Sequence, residues 1–259
     1  MTTLTLLVKA YSSRQLNLIG NLLQAQFEEL DVDATVSGVQ ANKWVQVSVS
    51  GEDEGVAASY INKEFGTCPV SLKKIGVSSI LKGYISKVDS AQQQLVIDVG
   101  VFEPKVIPAT VSLSHLKAEL FGGKELVLKK ISELYGLVED IPLSIKIVEA
   151  DAENGVLKAE LSLEQVEKLR LWRDSLLDRL IILRLSLNEV ERVVERTRLE
   201  RDVIGVETLG TFEHALTCKL GTDATGLISR VGRYMRNGKF VVFNPRKIRD
   251  FLGEKGSTL

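Results

Sequence analysis

Eight cationic side chains lie between positions 219 and 249: Lys219, Arg230, Arg233, Arg236, Lys239, Arg246, Lys247 and Arg249. Only Asp223 opposes them there, so this stretch carries an excess of seven positive charges in a chain of net charge −1. A helix expected over Thr225–Met235 spaces Arg230, Arg233 and Arg236 three apart, on a slowly drifting face. Arg246, Lys247 and Arg249 follow Pro245 and read as exposed, because proline ends the preceding strand. Guanidinium and ammonium groups gathered this way meet phosphates, and such a footprint is what polyanions select. The same surface suits an acidic protein partner. The plain alternative is a solvated helix face with a basic tail.

Catalytic chemistry has few carriers. His115 and His214 are the only histidines, and Cys68 and Cys218 the only cysteines, with no HxxxH, HxE or CxxC among them. Gly221–Gly226 has the GxxxxG frame of a phosphate loop, but Leu227-Ile228 stands where Lys-Ser/Thr is required. Neither GxGxxG nor GxSxG occurs. Asp98 with Asp89 or Asp151 would be a metal pair, yet these are turn and strand-end positions where Asp is common. The expectation is therefore a protein that is not an enzyme and holds no cofactor or metal. Two distant cysteines imply a reducing compartment. There is no basic signal-peptide start and no apolar run near the ~18 residues of a membrane helix. A cytoplasmic protein is expected, with its oligomeric state left open.

The best-patterned elements are in the middle. Gly83–Asp89 and Leu95–Val101 alternate as strands, Val106–Val111 follows, and Ser114-His115-Leu116 is helical. Leu143–Val148 and Val156–Leu161 close as a hairpin through Asp151–Gly155. Five such strands around a short helix make an OB-like β-barrel. The segment resembles the OB-fold RNA-binding domains of ribosomal and exosome-type proteins. Its carriers are Gly83, Asp98-Val99-Gly100-Val101, Val106-Ile107-Pro108-Ala109, Ile147–Asp151 and Leu161-Ser162. The resemblance implies a binding face where aromatics stack bases and cations meet phosphates. Tyr84, Phe102 and His115 are the rings available for it, with Lys87 and Lys105 as phosphate contacts. The structural alternative puts Phe102 in the core and His115 on a wet helix.

Either side of the barrel, residues 1–73 and 163–259 read as β-α-β-β-α-β, the ferredoxin-like order, the second after a leading helix. The Ser12–Gln15 and Ser162–Gln165 quartets fit capping boxes, and Ser186–Glu189 caps a further helix. The fold class is thus α+β in three parts, 1–73, 74–162 and 163–259, the last bearing the basic patch. Helix 187–201 mixes four glutamates with four arginines and reads as a solvated face with Glu189–Arg192 and Glu195–Arg198 attractions. As a whole the chain resembles an uncharacterised archaeal family, through Leu4–Tyr11 and Phe240–Lys247. That resemblance implies an archaeal origin and no activity. The sequence reading is an RNA- or ribonucleoprotein-associated binding protein. Its rival is an adaptor docking an acidic partner of the transcription or translation apparatus.

Overall fold

The computed structural model describes residues 1–253. Its contacts divide the chain into two units, residues 1–75 with 99–107, and residues 76–98 with 108–259.

In the first unit β1 (Thr2–Lys9), α1 (Ser13–Gln26), β2 (Val32–Gln40), β3 (Trp44–Gly51) and α2 (Glu54–Glu64) build an antiparallel sheet ordered β1-β3-β2. Helix α1 starts where Ser12 Oγ accepts the Gln15 amide, while Gln15 Oε1 reaches back to the Tyr11 amide at 2.6 Å. Ile19 and Leu23 are fully buried on one face of the helix, and Val45, Val47 and Val49 of β3 are fully buried in the sheet. The expected last strand over Cys68–Leu72 shrinks to β4 (Val70–Ser71), which lies outside that sheet. Pro69 offers no amide, and Val70 turns to φ +63°, so the ladder along β1 stops after the Leu6–Thr67 bridge.

The chain then runs through β5 (Ile80–Asp89) and β6 (Gln94–Asp98), and β7 (Val101–Glu103) returns to pair in parallel with β4. Residues Val99–Val101 were expected to extend the barrel strand, and Val106–Ile107 to open the next one. Both belong to the first unit instead. The cause is local: Gly100 at φ +75° breaks the strand after Asp98.

In the second unit β8 (Ala109–Ser112), α3 (Leu113–Phe121), α4 (Leu128–Tyr135), β9 (Pro142–Asp151) and β10 (Val156–Leu161) complete a closed barrel ordered β10-β8-β6-β5-β9. β8 and β10 pair in parallel and every other neighbour is antiparallel. Leu95, Ile97, Val111, Ile145, Ile147 and Ala159 fill it and are at most 1% exposed. Helix α5 (Leu163–Asp174), capped by Ser162, leads to β11 (Arg179–Leu183), α6 (Leu187–Arg196), β12 (Val203–Gly210), β13 (Glu213–Cys218), α7 (Ala224–Val231), β14 (Lys239–Phe243) and α8 (Pro245–Leu252). Their antiparallel sheet is ordered β12-β13-β11-β14. β11 is central and buried throughout, which explains its unbroken Leu-Ile-Ile-Leu run. Leu180 and Ile182 pack with Val190 and Val194 of α6 and Leu227 and Val231 of α7.

No helix among the described residues is long and apolar enough to cross a membrane.

Candidate nucleic-acid interface

The eleven residues singled out by sequence fall into several separate places. Tyr84 is 3% exposed, and its hydroxyl donates to Glu213 Oε2 at 3.2 Å, so its ring cannot stack on a base. Lys87 is exposed beside Asp89, 3.1 Å away, and that pairing holds the Asp89 carboxyl below its ordinary value. Phe102 is half-buried and Lys105 exposed, and both belong to the first unit, whereas Tyr84, Lys87 and His115 belong to the second. The expected rim is therefore divided between units. Across the outer barrel surface, Lys158, Thr110, Val96 and Lys87 stand in register on β10, β8, β6 and β5. That row carries no aromatic ring, and its terminal lysines are engaged by Glu149 and Asp89.

His115 is half-buried in the first turn of α3, where its amide donates to Ser112 Oγ. One turn on, burial pushes the Glu119 carboxyl up to about 6; Glu160 raises it further, while the Leu161 amide and His115 oppose the rise. The folded protein thus holds this proton more tightly than the unfolded chain, whose ordinary value is 4.5. The stabilisation is complete below 4.5 and is lost as pH rises through 6. After discounting for partial exposure the loss is about 1 kcal/mol. Glu119→Gln is expected to remove this slope, leaving urea midpoints that converge with wild type near roughly pH 4.5 and exceed it near pH 7.

The C-terminal cations are dispersed too. Helix α7 ends at Val231, short of the expected Met235, so only Arg230 is helical, and Arg233 and Arg236 lie in the connection to β14. Arg230 is committed to the Asp202 carboxylate and the Thr197 carbonyl. Lys239 Nζ donates to the Glu139 carbonyl at 2.9 Å. Arg246 and Lys247 sit at the far end of β14, in the first turn of α8. The expected exposed tail is thus a helix: Asn244 Oδ1 caps it through the Lys247 amide, Pro245 takes its first position, and Ile248 is fully buried.

What the fold does gather is a group the sequence reading separated. The Cζ atoms of Arg196, at the end of α6, and of Arg233 each lie 4.7 Å from the ring centre of Tyr234. Arg236 is exposed nearby in the same connection. Arg196, Arg233 and Arg236 make no ion pair among the described residues, whereas Arg230 does. The Glu189 carboxylate turns back to accept from the Ser186 amide and hydroxyl as a capping box. A tyrosine ring attracts one guanidinium through its quadrupole, but a second beside it adds like-charge repulsion that an anion would relieve.

Family models match along the chain as the DUF2110 N-terminal domain over residues 3–71, the DUF2110 central domain over 76–173 and the DUF2110 C-terminal domain over 177–243. No curated protein matches it. Among solved structures it is similar to the uncharacterized protein MJ1198 from Methanocaldococcus jannaschii, at 8% identity over 34% of this chain and 95% of that one, TM-score 0.24. It is also similar to a chain of the a/eIF2alpha–aDim2p–rRNA complex from Pyrococcus horikoshii OT3, at 11% identity over 50% of this chain and 70% of that one, TM-score 0.27. The intact alpha subunit of aIF2 from Pyrococcus abyssi matches at 10% identity over 66% and 97%, TM-score 0.26. Scores this low carry no argument about binding. The three family matches run end to end over almost the whole sequence, and the chain belongs to the DUF2110 family.

Proposed function

We propose that the chain is a non-enzymatic nucleic-acid-binding protein, an RNA- or ribonucleoprotein-associated factor acting in the cytoplasm. It engages phosphates through Arg196, Arg233 and Arg236. The observation that carries this reading is the pair of guanidiniums held on the Tyr234 ring without a carboxylate partner. Guanidinium forks suit phosphate oxygens, and an adjacent ring offers a stacking surface to an unpaired base. The non-enzymatic part is supported by where the reactive side chains lie. His214 is 1% exposed, with Nε2 against the Leu185 carbonyl, and burial lowers its pKa, which keeps it neutral. Burial also pushes the Cys218 thiol up to about 12, so no thiolate forms near neutral pH.

The barrel is of the OB type: its strands, renumbered one to five, pair 1-2, 2-3, 1-4 and 4-5 antiparallel and 3-5 in parallel. The β12-β13-β11-β14 sheet with α6 and α7 is ferredoxin-like, its strands ordered 2-3-1-4. The first unit is a ferredoxin-like relative whose fourth strand is reduced to a stub.

Labelled single-stranded RNA titrated at several salt concentrations tests the function. Three phosphate contacts give a log–log salt slope of about −2 on single strands. Arg196→Glu/Arg233→Glu/Arg236→Glu is expected to weaken binding at least ~10-fold at low salt and flatten that slope. Wild type that ignores RNA even at low salt would sink the proposal and leave an acidic protein partner as the occupant of this face.

A further inference from the structure

A cavity of about 230 Å³ opens in the second unit where β9 and α5 meet β11 and the end of β12. It has room for a one- or two-ring molecule. Its lining is apolar at Leu143, Leu169 and Ile181, which are at most 3% exposed, and at Trp172. Its mouth is polar. Ser144, Gln165 and the exposed Thr208 line it, with Gln165 Oε1 already accepting the Ser144 amide. Of the charged side chains that line it, Lys168 is paired with Glu207 at 2.6 Å, while Glu164 and Lys82 are exposed and make no ion pair among the described residues.

That combination selects among ligands. A carboxylate or phosphate inside would be desolvated without net positive charge to hold it. An acyl chain would cover the apolar lining but strand the hydroxyls and amide at the mouth. A planar ring with donors and acceptors along one edge satisfies both parts. We propose that this cavity receives a single nucleobase, its face against the apolar lining and its polar edge read by Ser144, Gln165 and Thr208. Lys82, at the mouth and free of any ion pair among the described residues, then meets the attached phosphate. This rests on the nucleic-acid reading above and adds base selectivity to it. Phosphate attraction on Arg196, Arg233 and Arg236 is indifferent to sequence, whereas an edge-reading cavity is not. The base belongs either to an unpaired position of an RNA strand or to a free nucleotide, and the two sources are separable.

The test uses the full chain and isothermal titration with adenosine, guanosine, cytidine and uridine monophosphates, then with single-stranded oligonucleotides of each base. Wild type is expected to bind one or two of the monophosphates at least ~10-fold more tightly than the rest. Leu209→Phe, which narrows the mouth from the half-buried end of β12, is expected to abolish that binding with the circular dichroism spectrum unchanged. Thr208→Val, nearly isosteric and exposed, should change the base preference without closing the cavity. The Arg196→Glu/Arg233→Glu/Arg236→Glu variant should keep monophosphate binding while losing oligonucleotides. Wild type that binds no monophosphate, or a Leu209→Phe variant that binds as well as wild type, overturns the cavity proposal whatever the oligonucleotides do. Monophosphate binding without any oligonucleotide binding supports the cavity, makes the free nucleotide its ligand, and sinks the RNA reading instead.

Discussion

Gly100→Ala is expected to destabilise the first unit by about 4 kcal/mol, from ~1–3 for the backbone and ~1–3 for overpacking. Gly100 sits at φ +75°, where an L side chain is strained in any surroundings. A Cβ built there would also lie 2.4 Å from Cys68 Sγ and 2.5 Å from Cys68 Cβ, closer than any real contact. Cys68 cannot swing clear without cost, because it is buried and its Sγ lies 3.3 Å from the Leu6 carbonyl. The overlap would push β4 from β7, and the Val70 amide bonds the Gly100 carbonyl itself at 3.0 Å.

The two contributions separate experimentally. Cys68→Gly removes Sγ and Cβ and leaves the Cys68 Cα at an ordinary 3.5 Å from the new methyl. In the double variant the overlap disappears while the left-handed strain stays, so the cycle should return about 2 kcal/mol of coupling. A coupling near zero would mean the loop simply relaxes around the methyl group. The readout is clean because one tryptophan lies in each unit, Trp44 in the first and Trp172 in the second. Denaturation followed by Trp44 fluorescence in a Trp172→Phe background reports the first unit alone.

The same residues mark how far the sequence was legible. Alternation and capping delivered the element order well. The β-α-β-β-α-β order after the leading helix is found as β11 to β14 with α6 and α7, and the helix start at Ser186 closes with Glu189 into a capping box. Asn244-Pro245 also carried a legible helix start, an N-cap followed by proline at the first position, which reading proline only as a strand stop conceals. Other features were not written locally. Tyr84 alternates outward from its strand, and nothing nearby in sequence says that Glu213, 129 positions later, closes over it. Period-two patterning reports which side a residue faces, not whether another element covers that side. Likewise Arg196 reads as one charge on a mixed helix, and Tyr234 as an inward ring, until α6 and α7 lie side by side on the sheet. The basic stretch shows the converse failure. Charges close in sequence read as one patch, but Lys239 opens the five-residue strand β14 and Arg246 lies beyond its far end, and Asp202 takes Arg230.

In the second unit the counterpart experiment is Arg179→Ala, expected to cost about 3–4 kcal/mol. Arg179 is 7% exposed at the start of β11, and its Nη1 donates to the Trp172 carbonyl at 3.2 Å, Ser175 Oγ at 3.0 Å and the Leu177 carbonyl at 3.1 Å. One of these acceptors, the Trp172 carbonyl, lies in the last turn of α5, where carbonyls have no helical partner. Its guanidinium carbon also lies 4.9 Å from the Trp172 ring centre, and Trp172 Nε1 donates to Glu207 at 3.1 Å. Burial lowers the Arg179 pKa while Glu207 supports the charged form, so the group stays a cation at a cost that its bonds offset. Part of that offset is missing, because Nε is buried with no acceptor among the described residues. That gap sets the expected order of variants. Arg179→Met should recover more of the stability than Arg179→Ala, because its chain keeps the contact with Trp172 and leaves no buried charge. Arg179→Lys should fall below Met, since an ammonium keeps the desolvation but not the planar fork that reaches three acceptors. Denaturation followed by Trp172 fluorescence in a Trp44→Phe background gives all three values. If lysine proves the best replacement, the charge and not the fork holds α5 to the sheet, and the burial argument for Arg179 fails.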